Sequence, residues 1–249
     1  MSQGGESRAR PEAERKRGLL PTKPDPLTSL VLVIPVFLVY HLGILVIDLR
    51  NGVDLVSQAT FALLEQSLLA YVGVTLGLAA CLVGALAFLR QRGKVRPVAL
   101  FPVLAESTAL AFGMLVSVGW ASAKLFMVLP LVDGARPLGP VEKLVMSAGA
   151  GFHEELVFRV ILYGGMAELG RRGREGRRPL TAILGAALLS SLLFSAVHYI
   201  GSLSDAFTFA SFFFRFLAGV YLVTVYELRG FAVAVYTHTI YDLLVFFLL

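Results

Sequence analysis

Residues 151–159 read GFHEELVFR. Two adjacent carboxylates, Glu154 and Glu155, and one cation, Arg159, stand here among apolar neighbours. On a surface helix such charges need no special reason. At the centre of a membrane helix, an Asp or Arg costs about 2.5–3.5 kcal/mol on insertion scales. The surrounding sequence decides between the two settings.

The chain has 249 residues, of which 57% are hydrophobic and 16% charged. A soluble domain is just under half apolar and about a quarter charged, so this chain is too apolar for that class. Seven apolar segments can be marked, at 27–49, 67–89, 98–120 (continuing toward 129), 141–167, 180–198, 207–226 and 231–249. About 20 apolar residues suffice to cross a ~30 Å hydrocarbon core. No run shows the period-two alternation of a membrane barrel. The fold expected is all-α, a polytopic transmembrane bundle of about seven helices, with Pro35 placed to kink the first. Residues 1–26 are polar, basic and proline-containing and read as a disordered cytoplasmic tail. The apolar segment after them is too long for a secretory signal and lacks a small-residue cleavage site. Three N-terminal membrane helices follow within 27–130, then a four-helix core over 141–249. The lone cysteine, Cys81, forms no internal disulfide and offers no zinc-finger spacing.

Basic residues orient the bundle. Six lie in the tail, four in RQRGKVRP after the second segment, five in RRGREGRRP after the fourth, and Arg229 before the seventh. The opposite side holds four: Arg50, Lys124, Arg136 and Lys143. This asymmetry places the N-terminus in the cytoplasm and the C-terminus outside. It also accounts for the net charge of +5 as a topology signal, so nucleic acid is not an expected partner.

Once the fourth segment is in the membrane, its charges need partners. Glu155 and Arg159 are i, i+4 and share a helix face, where they pair. Glu154 is rotated about 100° from Glu155 and is left to face something else. Phe194 and His198 are i, i+4 at the end of the fifth segment, and His238 and Asp242 are i, i+4 in the seventh. A carboxylate and imidazoles converging from three helices suit activation of water and stabilisation of an oxyanion. Two histidines and a glutamate also suit zinc. A single membrane histidine is as well explained as hydrogen-bonding glue between helices, and His41 and His153 are read that way. Glu106 and Arg215 pair with each other, line a cavity or snorkel. HExxH would need a histidine where Val157 stands, so HEELV is not a zincin motif. No GxSxG elbow is present, and no pair of aspartates lies on neighbouring apolar segments.

The strings Glu154-Glu155-x-x-x-Arg159, Phe194-x-x-x-His198 and His238-x-x-x-Asp242 resemble the signature of the CPBP family. That family comprises type II CAAX prenyl proteases, bacteriocin-processing proteins and abortive-infection proteins. The stretch FLAGVYLVTVYELRGFAVAVYTH is similar to the family's glycine-containing helix and tight turn before the last motif. The resemblance covers about 141 to the C-terminus. It implies an intramembrane endopeptidase, with 141–249 as its catalytic core, that cleaves a membrane-associated protein or peptide. Substrate classes it implies are C-terminal tails, prenylated proteins, bacteriocin-type peptides and sorted surface proteins. Glu154 and His198 would activate water, His238 and Asp242 would line the other side, and Glu155, Arg159 and Phe194 would support them. Asp242 departs from the Asn of the prenyl-protein proteases. An ionised Asp cannot donate to an oxyanion, so it must be protonated, orient His238 or bind metal. No cofactor is required in this reading; zinc held by Glu154, His198 and His238, as in a metalloprotease, is the alternative. A transporter, or a non-catalytic scaffold or immunity protein, is the competing class, since intramembrane charges also mark ion pathways. Short loops and an Ala/Gly/Arg/Leu-rich composition point to a bacterial plasma membrane. A reporter fused after Glu175 is expected to read cytoplasmic and one fused after Leu249 external; the same side for both contradicts seven crossings.

Overall fold

The computed structural model describes residues 23–47, 49–54, 68–90, 99–126, 138–171, 179–200 and 206–248. Most of the expected tail, 1–22, and the basic loops at 91–98 and 172–178 lie outside the described residues. Among the described residues the secondary structure is helical, with no strand. In chain order the helices are α1 (Pro26–Gly43), α2 (Leu68–Arg90) and α3 (Leu100–Phe126). A continuous helix α4 follows, made of Pro140–Gly149, Ala150–Gly164 and Gly165–Leu169. The last three are α5 (Leu180–Val197), α6 (Phe209–Arg229) and α7 (Phe231–Leu248). Each sits on one of the seven apolar segments. Helices α1, α3, α5, α6 and α7 are long and apolar enough to cross a membrane.

Local chemistry sets the helix ends. Asp25 caps α1, accepting from the Thr28 backbone N–H at 3.0 Å and the Thr28 hydroxyl at 2.6 Å, with Pro26 in the first turn. Glu142 accepts from the Gly139 N–H at 2.7 Å and so caps the start of α4. Gly230 takes φ 88°, a backbone region that favours glycine, and lets α6 turn directly into α7. Pro35 lies within α1.

Helix α7 is the centre of the bundle. It packs against α1, α3, α4 and α6, and Ala232, Val233, Ala234 and Val235 are all fully buried. Small and β-branched side chains let neighbours approach on every side, as expected where packing rather than a hydrophobic difference drives helix association in lipid. The closest approach is at Gly151. A Cβ there would lie 1.9 Å from the Thr239 hydroxyl and 2.9 Å from the Val235 carbonyl oxygen. Only a residue without a Cβ lets this turn of α4 meet α7, and that contact brings the charged stretch beside His238.

Glu106 and Arg215 do not pair with each other. Arg229 donates through Nε and Nη2 to the two carboxylate oxygens of Glu106, the Nη2 contact being 2.9 Å. Arg215 donates to the Tyr199 hydroxyl at 2.9 Å and to Ser211. The last turn of α6 lies against α3, and this carries Arg229 to Glu106.

Gly151→Ala is expected to destabilise the protein by about 1–3 kcal/mol, the usual overpacking cost, read as a lower Tm in detergent. Adding Thr239→Ala should recover only part of the loss, because the Val235 carbonyl remains. An unchanged Tm for Gly151→Ala contradicts the close packing.

Candidate active site

The middle section of α4, Ala150–Gly164, is wound as a π-helix. Such i→i+5 winding is rare, is usually confined to one turn, and is frequent at functional sites. Here it runs for 15 residues, bounded by Gly149 and Gly151 at one end and Gly164 and Gly165 at the other. It carries every charge of the opening stretch.

Glu155, Arg159 and His238 form one buried unit. Glu155 and Arg159 are fully buried. Glu155 Oε2 lies 3.1 Å from Arg159 Nε, and Glu155 Oε1 lies 2.8 Å from His238 Nδ1. The pair expected from i, i+4 spacing is present, and the same carboxylate also orients a histidine from α7. The guanidinium carbon of Arg159 stands 4.3 Å from the centroid of the Phe194 ring, a cation–π contact that pays part of the desolvation of the charge.

Glu154 points elsewhere. Its Oε1 accepts from Asn51 Nδ2 at 2.9 Å. Its Oε2 has no hydrogen-bond partner among the described residues and faces His198 Nε2 at 3.8 Å. Counted from the loop that joins α4 to α5, Glu154 and His198 lie at comparable depth, which is how antiparallel neighbours bring them level. His198 is the residue at which α5 ends, and its Nδ1 lies 2.8 Å from the Phe194 carbonyl oxygen. That bond explains the Phe-x-x-x-His spacing: the side chain caps a carbonyl one turn back. Phe194 is buried, and its ring also packs against His198 and His238 at centroid distances of 5.1 and 5.9 Å.

A carbonyl oxygen or carboxylate only accepts, so Nδ1 of His198 and of His238 carry protons. Both Nε2 atoms are thereby turned to the interior of the site. His238 Nε2 faces Asp242 Oδ2 at 3.8 Å. The side chains of His198 and Asp242 are 26% and 21% exposed, whereas those of Glu154 and His238 are nearly buried. The site therefore opens on its His198 and Asp242 side and is closed behind by Glu155 and Arg159. Zinc would need Glu154, His198 and His238 to close on one point. Among the described residues, no group of three or more His, Cys, Asp or Glu side chains is placed to hold a metal ion.

All seven residues of the three motif strings thus fall in one cluster. Two contributors lay outside the motifs. Asn51 comes from the segment after α1. His153, read as helix glue, meets Gly149 O through Nδ1 at 3.1 Å and Asp54 Oδ1 through Nε2 at 3.5 Å. No helical spacing marks a partner on a loop, so neither contact was legible in the motif pattern.

Residues 138–244 match the family model described as type II CAAX prenyl endopeptidase Rce1-like. The chain carries an Rce1-like domain. Comparison with curated proteins and with solved structures gives no match. The Rce1-like domain contains all seven residues of the cluster and is of the protease class. Together with five apolar helices of spanning length, it makes the chain an integral membrane protein.

Removing one partner of a buried ion pair strands the other, at a cost of about 3–5 kcal/mol. Glu155→Ala and Arg159→Ala should each destabilise the protein by an amount in that range, read as a lower Tm in detergent. Glu155→Ala combined with Arg159→Ala should cost less than the sum of the two single losses. Additive losses in the double variant contradict the pairing.

Proposed function

We propose that the chain is an intramembrane endopeptidase in which Glu154, assisted by His198, activates water to hydrolyse a peptide bond. The approach of Glu154 Oε2 to His198 Nε2, at 3.8 Å, carries this reading: two proton acceptors on different helices stand close enough for one water to bridge them from the open side of a buried polar cluster. A water between them donates one hydrogen to Glu154 and one to His198, which turns its lone pairs toward a carbonyl carbon. Glu154 takes the proton as the oxygen attacks, then delivers it to the departing amine. His238 faces the developing oxyanion. To donate there it needs a proton on Nε2 as well as on Nδ1, and the carboxylates of Glu155 and Asp242 flank the ring to support that charge. Glu155, Arg159 and Phe194 hold His238 and His198 in place.

Substrates are membrane-associated proteins or peptides: C-terminal tails, prenylated proteins, bacteriocin-type peptides or sorted surface proteins. The setting proposed is a bacterial plasma membrane, with the N-terminus cytoplasmic and the C-terminus external. The reaction is proposed to need no metal. Zinc on Glu154, His198 and His238 is the competing chemistry, and a chelator series with zinc add-back separates the two. Activity that survives chelation is expected; loss with restoration by zinc reassigns the three residues as ligands.

Loss of a general base costs about 10²–10⁴-fold. Glu154→Gln should therefore lower cleavage of an internally quenched, farnesylated C-a-a-X peptide by that factor, with membrane insertion and Tm retained. Activity within tenfold of the unmodified enzyme contradicts the assignment.

A further inference from the structure

The Rce1-like domain spans 138–244, yet a polar contact to Glu154 comes from outside it. Asn51 is 5% exposed and donates from Nδ2 to Glu154 Oε1 at 2.9 Å. The segment that presents it is itself held in place. Asn51 Oδ1 accepts from the Val53 N–H at 2.8 Å, and the Asn51 N–H donates to the Tyr40 hydroxyl at 3.0 Å. That hydroxyl in turn donates to Asp54 Oδ2 at 2.8 Å, and Asp54 Oδ1 faces His153 on α4 at 3.5 Å. Tyr40 and Asp54 are fully buried. The Tyr40 ring lies against Gly149, where a Cβ would come within 2.5 Å of it. The residues at 49–54 are thus fixed to both α1 and α4, with one amide aimed at the carboxylate.

We propose that Asn51 is a positioning residue for Glu154, so that the site is completed by the N-terminal segment and not by the Rce1-like domain alone. A carboxylate on a bare stem rotates about its last bond. The Asn51 amide fixes one oxygen, which leaves the other directed at His198. Asn51 acts through Glu154. This inference rests on the peptidase reading given above.

Two variants separate positioning from loop structure. Asn51→Asp keeps an oxygen for the Val53 N–H and replaces the donor to Glu154 by a second carboxyl oxygen. Tyr40→Phe removes one anchor of the segment and keeps the Asn51 side chain. With the farnesylated C-a-a-X peptide, Asn51→Asp is expected to lower kcat by about 10–100-fold, the scale of a small misplacement of a reacting group. KM should be unchanged, and Tyr40→Phe, which keeps the amide, should lower Tm with a smaller loss of kcat than Asn51→Asp. An Asn51→Asp enzyme with unchanged kcat, or with the loss confined to KM, overturns the proposal.

The contact itself is tested without activity. Asn51→Asp combined with Glu154→Gln exchanges donor and acceptor across the same pair. This double variant should regain most of the Tm lost in Asn51→Asp, whereas additive losses overturn the contact and the proposal with it. Absence of cleavage by the unmodified enzyme would instead sink the peptidase reading, and the exchange experiment then decides the contact alone.

Discussion

The arrangement of the site depends on one carboxylate with two partners. Glu155 reaches Arg159 on its own helix and His238 on α7, and all three are buried. Removing charges from water in a bundle core is costly, and pairing this close offsets part of that cost. Arg159 supplies the compensation for Glu155 and rests on the Phe194 ring. Because Glu155 is spent on that role, its neighbour is not. Glu154 keeps one oxygen for His198, and the division of labour between two adjacent glutamates follows from which helix each one faces.

The helix geometry makes that division workable. The π-wound section of α4 directs Glu154 toward α5 and the segment after α1, and Glu155 toward α7. Gly151 lets α7 come close enough for the 2.8 Å contact between Glu155 and His238. The end of α5 at His198 does the rest, since a helix terminus places its last side chain at the edge of the cluster rather than within the packing. The closed side is built from ion pairing and aromatic contact. The open side carries the residues that a substrate would meet.

The sequence made the large features legible because they follow from local rules. Apolar runs marked each helix to within about six residues at its ends, and i, i+4 spacing found the Glu155–Arg159 pair and both histidine motifs. What it concealed was relational. Glu155 also binds His238 because two helices cross there, which no spacing within either one encodes. Pairing with Arg215 is one of three readings the sequence offers for Glu106, and the last turn of α6 delivers Arg229 to it instead. His153 has its partner on the short segment after α1, and so does Glu154. Polar residues on short connections are common, and nothing in their local pattern distinguishes Asn51 from a solvated turn residue. The π-winding has no sequence rule at all beyond the glycines at its ends.

The central claim is that Glu154 acts on water rather than attacking the peptide itself. Single-turnover cleavage in water enriched in heavy oxygen tests it most directly, with both the product and the enzyme analysed by peptide mass spectrometry. The account predicts one heavy oxygen in the new C-terminal carboxylate of the product and none in the Glu154 side chain. Heavy oxygen in Glu154 would show that it forms a covalent acyl intermediate and would contradict the account.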